Sequence, residues 1–299
     1  MNDVESDNPA RLFCFGLGFS AKQLAGRLAT AGYSIAGTCR DADTQTRHQA
    51  AGITAHLFNG SAPSEDTDAW LDGATHVLLS VPPKDGADPV LAHLGDALAN
   101  CATLKWLGYL STTGVYGNTN GARVDETAPL NADVPRSRDR VNAEAGWQEL
   151  AEIHNLPLHI FRLAGIYGPG RNQLETVKAG KARRIDKPGH KFSRIHVDDI
   201  AGVLLASINR PCPGAIYNVC DDEPAEPARV VEYACELLGM EPPAVKSFEE
   251  ASQGMSPMGL SFWRDNRQVD NGLIKNQLGV TLEYPTYREG LAALAKDMS

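Results

Sequence analysis

Short apolar runs alternate with amphipathic stretches along the first two thirds of the chain. Residues 11–15 (Arg-Leu-Phe-Cys-Phe) form a run of strand length. After a turn, Leu24, Leu28 and intervening alanines recur at helical spacing up to Gly32, which is placed to end a helix with positive φ. Residues 33–38 read as a second strand. Further strands are expected at 54–58, 75–80, 105–110 and 158–163, with helices at 66–71, 89–100 and 134–154. This alternation predicts an α/β fold with a parallel sheet covered on both faces.

Between the first strand and the first helix stand Gly16, Gly18 and Ala21, a G-x-G-x-x-A spacing. Gly16 permits the tight turn, Gly18 lets backbone approach a pyrophosphate, and Ala21 allows close helix-to-strand packing. A helix N-terminus also presents backbone N–H groups and a partial positive charge to phosphate. Phe19 and Ser20 open that helix. The unit is therefore a βαβ dinucleotide-binding element, and the sheet is of the Rossmann, doubly wound kind. Beyond about Gly165 the pattern loosens into Gly- and Pro-rich connections, with a helix near 198–207, a strand near 215–219 and a helix near 227–238. The expected organisation is a cofactor-binding Rossmann domain over 9–220, with 171–195 a substrate-side excursion, and a smaller C-terminal α/β substrate region over 221–299.

The chain has 299 residues and a formal net charge of −9. That balance argues against general attraction to nucleic acid or to anionic membrane, so any anion must be held locally. No apolar run reaches the roughly 18 residues a membrane helix needs. The N-terminal residues 1–5 are acidic where a secretory signal carries positive charge, so the expected location is cytoplasmic. The six cysteines form no C-x-x-C pair, and no zinc site or disulfide framework is read from them. Cys14, Cys39 and Cys220 fall in strand-like segments, where a free thiol serves as a small hydrophobe.

Four further segments carry a resemblance. Ser111 to Gly117 (Ser-Thr-Thr-Gly-Val-Tyr-Gly) and Phe161 to Gly170 each follow a predicted strand; Ile195-His196-Val197-Asp198-Asp199 opens a helix, and Tyr217-Asn218-Val219 follows. Together with the glycine turn, in this order and spacing, they resemble the extended short-chain dehydrogenase/reductases, the NAD-dependent epimerase/dehydratase group. The resemblance implies hydride transfer at a nicotinamide and a homodimer formed through paired helices. It also implies a Tyr-x-x-x-Lys pair assisted by a hydroxyl, which Thr112 matches.

The pair itself is missing. Aligning Val141 to Glu144 with the family's segment after the lysine puts Arg136 at the tyrosine position and Arg140 at the lysine position. No Tyr lies between Tyr116 and Tyr167, and no Lys between Lys105 and Lys178, so no register restores the pair. Arginine, with a pKa above about 12, cannot donate a proton near neutral pH but can bind phosphate or carboxylate. Arg136, Arg138 and Arg140 are read either as an anion clamp or as a solvated helix face. Tyr116 and Tyr167 are the remaining phenols near the expected site. This departure resembles the sugar-nucleotide-epimerase-like branch of the family.

At the end of the second strand, Arg40 fits the 2′-phosphate of NADP, while the adjacent Asp41 keeps NAD as the alternative. Ser80, Val81 and Pro82 follow the fourth strand, and Ser111 the fifth, where a Rossmann sheet faces its cofactor. The segment 171–194 holds eight basic against two acidic residues, a net +6 that leaves −15 for the rest of the chain. Such a segment would focus field on an anionic substrate, with Tyr167, Arg183 and Arg184 as candidate contacts. Asp198 or Asp199 is expected to cap the helix that follows, with His196 structural. Two readings stand: an NAD(P)-dependent oxidoreductase or epimerase-like enzyme acting on a small anionic, nucleotide-linked or phosphorylated substrate, with Thr112, Tyr116, Arg136 and Arg140 at its chemical centre, or a catalytically silent NADPH-binding redox sensor.

Overall fold

The computed structural model describes residues 10–61 and 67–298. The acidic residues 1–5, the first residue of the expected Rossmann domain, Pro9, and the first residue of the expected helix at 66–71 lie outside them. Two compact units share the chain: one runs up to Leu110 and includes Asn142–Ile160 and Ser207–Ala215, and the other gathers Ser111–Val141, Phe161–Ala206 and Ile216–Ser299.

The first half of the chain runs β1 (Arg11–Phe15), α1 (Phe19–Thr30), β2 (Ser34–Cys39), α2 (Ala42–Ala50), β3 (Thr54–Leu57), α3 (Thr67–Leu71), β4 (His76–Leu79), α4 (Pro89–Ala99) and β5 (Trp106–Thr112). There follow β6 (Arg123–Val124), α5 (Pro135–His154), β7 (Leu158–Leu163), β8 (Gly165–Tyr167), α6 (Gln173–Lys178), β9 (Arg184–Asp186), β10 (Arg194–His196), α7 (Val197–Asn209) and β11 (Ile216–Val219). The chain closes with α8 (Pro227–Leu238), β12 (Val245–Ser247), α9 (Phe248–Ser252), α10 (Pro257–Arg264), β13 (Gln268–Val269), α11 (Gly272–Leu278) and α12 (Tyr287–Asp297).

Seven strands make one parallel sheet in the order β11-β7-β5-β4-β1-β2-β3, the doubly wound topology expected from the alternating pattern. β1 lies inside it, and Leu12, Phe13, Cys14 and Phe15 are all fully buried, which is why this strand reads as a continuous apolar run. The apolar stripe of α1, with Leu24, Ala25 and Leu28, faces inward. At Gly37 a Cβ would lie 2.5 Å from the Cys14 carbonyl and 2.8 Å from Leu17 Cγ, so only glycine lets β2 pass this close to the turn after β1. Gly108 gives up its side-chain volume to the Trp106 indole, whose Nε1 donates to Ser207 Oγ at 3.1 Å.

The predicted strands and helices fall within two residues of those observed up to α8. Two helices escape the periodicity: α6, only six residues long, and α2, because Ala-Asp-Thr-Gln-Thr-Arg-His-Gln-Ala buries only His48. The start of α2 is set by Asp41, whose side chain accepts the Thr44 backbone N–H. In the second unit, three two-stranded parallel pairings, β10–β8, β12–β9 and β13–β6, organise segments that periodicity left as loops. Strands of two or three residues are too short to show alternation. Around them α6, α8 and α12 share a core with Tyr167, Leu174, Val231, Tyr287 and Leu291.

Candidate functional site

The glycine turn belongs to the first unit. Gly16 has φ +87°, and a Cβ there would also meet Val81 Cγ2 at 3.2 Å and the Val81 nitrogen at 3.3 Å. The turn is therefore closed against the Ser80–Val81 loop, which Ser80 anchors by donating its N–H to the Phe15 carbonyl at 2.9 Å. Thr38 holds the other side, its Oγ1 accepting the Gly16 N–H at 2.8 Å and its carbonyl the Leu17 N–H at 2.9 Å. Gly18 is the N-cap of α1; no side chain caps this helix, and nothing lies within 4 Å of where a Gly18 Cβ would project. An uncapped twelve-residue helix with an open glycine at its mouth fits the phosphates of a dinucleotide. Behind it, Ala21 is fully buried and Ser20 nearly so, while Phe19 is half-buried.

At the end of β2 the two charged neighbours separate in role. Asp41 Oδ1 accepts the Thr44 N–H at 2.8 Å and Oδ2 the Thr44 hydroxyl at 3.0 Å. The Thr44 hydrogen bonds hold the Asp41 carboxyl below the usual range, with Arg47 and Arg40 adding to them. Arg40 is exposed.

The second unit holds the hydroxyl and the arginines. Thr112 ends β5 half-buried, and its Oγ1 accepts the Gly114 N–H at 3.1 Å, capping the tight 3-10 turn Thr113–Tyr116. That bond uses the oxygen and leaves the hydroxyl hydrogen to donate. Ser111, just before it, is buried. A Cβ on Gly114 would sit 2.8 Å from Ser137 Oγ and 3.4 Å from Thr112 Oγ1, so the first turn of α5 packs directly on the Thr112 turn. Arg136, beside Ser137, is exposed, with its guanidinium 4.1 Å from the Phe262 ring centroid. Arg138 donates to the Asp133 carbonyl at 2.6 Å, and Arg140 is half-buried further along α5.

Tyr116 is fully buried. Its hydroxyl donates to Asn218 Oδ1 at 2.7 Å and accepts from Arg162 Nη1 at 2.9 Å. Burial pushes the phenol up, with Arg162 and Asn218 opposing. Tyr167 is packed in the core of the second unit, where its hydroxyl lies against Gly290. Burial raises it as well, with the Asp221 and Asp199 charges adding.

The basic segment divides. Arg183 is exposed, but Arg184 donates to Glu232 Oε1 of α8 at 2.8 Å. Lys187 donates to the Trp263 carbonyl at 2.6 Å and lies 4.2 Å from the Phe248 ring centroid. Arg194 donates to the Phe192 and Ala225 carbonyls at 2.9 and 3.2 Å. Three of the eight cations therefore build the fold. Asp199 does not cap the helix after it, because α7 already begins at Val197; its carboxylate accepts the Glu283 and Tyr284 backbone N–H groups at 2.7 and 3.1 Å. His196 is buried, its ring 4.2 Å from that of Tyr284, and burial lowers its pKa with Asp198 and Glu283 opposing. Arg267 is a neighbour of the candidate site that the motifs do not mark: in a polar stretch, it has no periodic signal, yet it donates to the Gly117 carbonyl that ends the Thr112 turn.

This fold is that of the extended short-chain dehydrogenase/reductases. Under it, the chain resembles dTDP-glucose 4,6-dehydratase from Bacillus anthracis, whose structure holds NAD, with a TM-score of 0.77 and 16% identity over 97% of this chain and 96% of that one. A closer likeness is to a conserved protein of unknown function from Silicibacter pomeroyi DSS, with a TM-score of 0.87 and 50% identity over 97% of this chain and 99% of that one. The chain belongs to that protein's family. Among curated relatives, it is 29% identical to protein YeeZ of Escherichia coli K12, over 90% of this chain and 94% of that one. It is also 25% identical, over the same shares, to a 3-diazoavenalumate denitrifying reductase from a Streptomyces species. No family model matches the chain. Among the described residues, no helix is long and apolar enough to cross a membrane.

Proposed function

We propose that this protein is a cytoplasmic, NADP-dependent oxidoreductase that acts on a small anionic substrate without a tyrosine proton donor. The observation that carries the cofactor choice is the engagement of Asp41. Both Arg40 and Asp41 are exposed, but with both carboxylate oxygens held by Thr44 at the N-cap of α2, Arg40 is the one of the two charges at the end of β2 with no hydrogen-bond partner among the described residues. A guanidinium there complements a 2′-phosphate, whereas a carboxylate already accepting two hydrogen bonds at a cap is oriented for that cap rather than for the ribose 2′-OH. Gly16, Gly18 and the N-terminus of α1 would hold the pyrophosphate, and Ser80, Val81 and Pro82 would border it. When bound, the dinucleotide supplies a hydride from its nicotinamide.

On the substrate side, Thr112 would donate a hydrogen bond to a substrate oxygen, the proton that balances the hydride would come from water or from the substrate itself, and Arg136, which the family alignment sets at the tyrosine position, would hold an anionic group. Tyr116 is a positioning residue in this reading, since its hydrogen is given to Asn218. The reductase activity of the Streptomyces relative supports net reduction over epimerisation. The test is NADPH consumption, followed by nicotinamide absorbance, against small keto carboxylates, phosphorylated carbonyl compounds and the neutral esters of the carboxylates. Faster turnover of the anions than of the neutral esters supports the reading. Equal rates, or consumption of none of them, count against it.

A further inference from the structure

The second unit holds the guanidinium groups of Arg136 and Arg267 and a carboxylate, Asp265, that pairs with the latter. Arg136 stands exposed on the first turn of α5 and has no hydrogen-bond or carboxylate partner among the described residues. Its guanidinium lies 4.1 Å from the centroid of Phe262, a ring that is itself 53% exposed on α10. Arg267 comes from the segment following α10, and its side chain is only 20% exposed. It donates to the Gly117 carbonyl at 3.1 Å and to Asp265 Oδ2 at 3.0 Å, both through Nη1. A guanidinium carries five N–H donors, so Nη2 and Nε are left without an acceptor among the described residues.

The two cations are close enough to act on each other. Burial lowers the Arg267 pKa, Asp265 opposes this, and the positive charge of Arg136 adds to the lowering. Asp133, the other carboxylate nearby in sequence, is taken by Arg264 at 2.6 Å. Two guanidiniums against Asp265 leave a net charge of +1. Through Gly117, Arg267 is tied to the turn that begins at Thr112, and Ser137, the residue after Arg136, packs on Gly114 of the same turn. Arg136 and Arg267 thus stem from segments that meet one turn, the one that begins at Thr112, and the exposed Phe262 ring lies beside Arg136.

We propose that Arg136 and Arg267 together bind the oxyanion, a carboxylate or a phosphate, of a substrate whose apolar body lies along Phe262. This rests on the oxidoreductase reading above and supplies its substrate class. The fork of a guanidinium matches both oxyanions, and charge-assisted hydrogen bonds to it are the strong ones. Phe262 holds the Arg136 guanidinium over its ring and offers its remaining surface to apolar atoms.

The experiment is calorimetric titration of the full chain with benzoate, phenyl phosphate and the neutral isostere benzamide. It is repeated with Arg136→Ala, which removes an exposed side chain, and with Arg267→Lys, which keeps the charge beside Asp265. The expected result is binding of at least one anion and not of benzamide, with affinity reduced about tenfold or more in Arg136→Ala. Arg267→Lys weakens binding too, because an ammonium cannot present the same fork. Equal anion affinity in all three proteins, benzamide binding as well as benzoate, or no anion binding by the wild type overturns the proposal. NADPH titrated separately into the same preparations distinguishes the two readings. Arginine-dependent anion binding by a protein that does not bind NADPH would remove the oxidoreductase reading and leave the oxyanion site standing.

Discussion

Arg162 and Tyr116 meet in the interior of the second unit, where Nη1 of the arginine donates to the phenol oxygen at 2.9 Å and the guanidinium carbon lies 5.0 Å from the ring centroid. The phenol passes its own hydrogen to Asn218, and Arg162 also reaches the Glu126 carbonyl at 3.2 Å. Glu126 Oε1 accepts the Asn218 N–H at 2.8 Å. The network is buried, so removal of one member leaves the others short of partners.

Tyr116→Phe is therefore expected to cost about 1–3 kcal/mol, the range for a buried polar group left unmatched. The thermal midpoint should fall by several degrees while affinity for NADPH stays unchanged. An unaltered midpoint would show that the phenol oxygen does not hold this network together.

A second prediction concerns pH. Asp221 is 1% exposed, and burial pushes its carboxyl up to about 8, with Arg194 opposing. An unfolded aspartate ionises near about 3.9, so across the interval up to 8 the folded chain holds a proton that the unfolded chain has lost. Stability from this group is fully present below the lower value and is lost as pH rises through the higher one. The slope is at most about 1.4 kcal/mol per pH unit. Asp221→Asn should flatten the decline of the melting temperature between pH 5 and pH 8 (about the interval set by these two values). The same decline in both proteins would contradict the assignment.

Much of the first unit was legible because its strands are buried on both faces and its helices on one, which writes period and run length into the sequence. The glycine turn was legible for a different reason: Gly16 needs both a positive φ and the space that Val81 takes. Less was legible where contacts join distant segments. Asp41 stands next to Arg40 in sequence, and only the fold shows the first capping a helix while the second makes no hydrogen bond among the described residues. Arg184, Lys187 and Arg194 count as charge in a sequence, yet each is held by an acceptor contributed from α8, α10 or the neighbouring loops. Arg267 carries no motif at all, and its importance comes from the Gly117 carbonyl it meets 150 residues away.

Gly18→Ala separates folding from cofactor binding. The residue is extended, at φ −87° and ψ −163°, and a Cβ would enter open space, so the chain should fold with little change in melting temperature. The methyl group would stand where backbone approaches the pyrophosphate, and NADPH affinity should drop about tenfold or more. Unchanged affinity would move the phosphate site away from α1.

Asp88 tests the support of α4. One carboxylate oxygen accepts the Val90 and Leu91 N–H groups at 2.9 and 3.1 Å, and the other accepts the Trp147 Nε1–H at 3.3 Å. Asp88→Ala loses the cap and strips a partner from a buried indole, a combined cost of about 2–4 kcal/mol. Thermal unfolding of the variant measures it, and a loss within about 0.5 kcal/mol, the usual range for a surface substitution, would show the cap to be dispensable.

The central claim is selective binding of NADP through Arg40. Calorimetric titration with NADPH and with NADH, on the wild type and on Arg40→Ala, tests it most directly. The account predicts tight NADPH binding, much weaker NADH binding, and loss of that preference in the variant. Equal affinity for both nucleotides, or binding of neither, would contradict it.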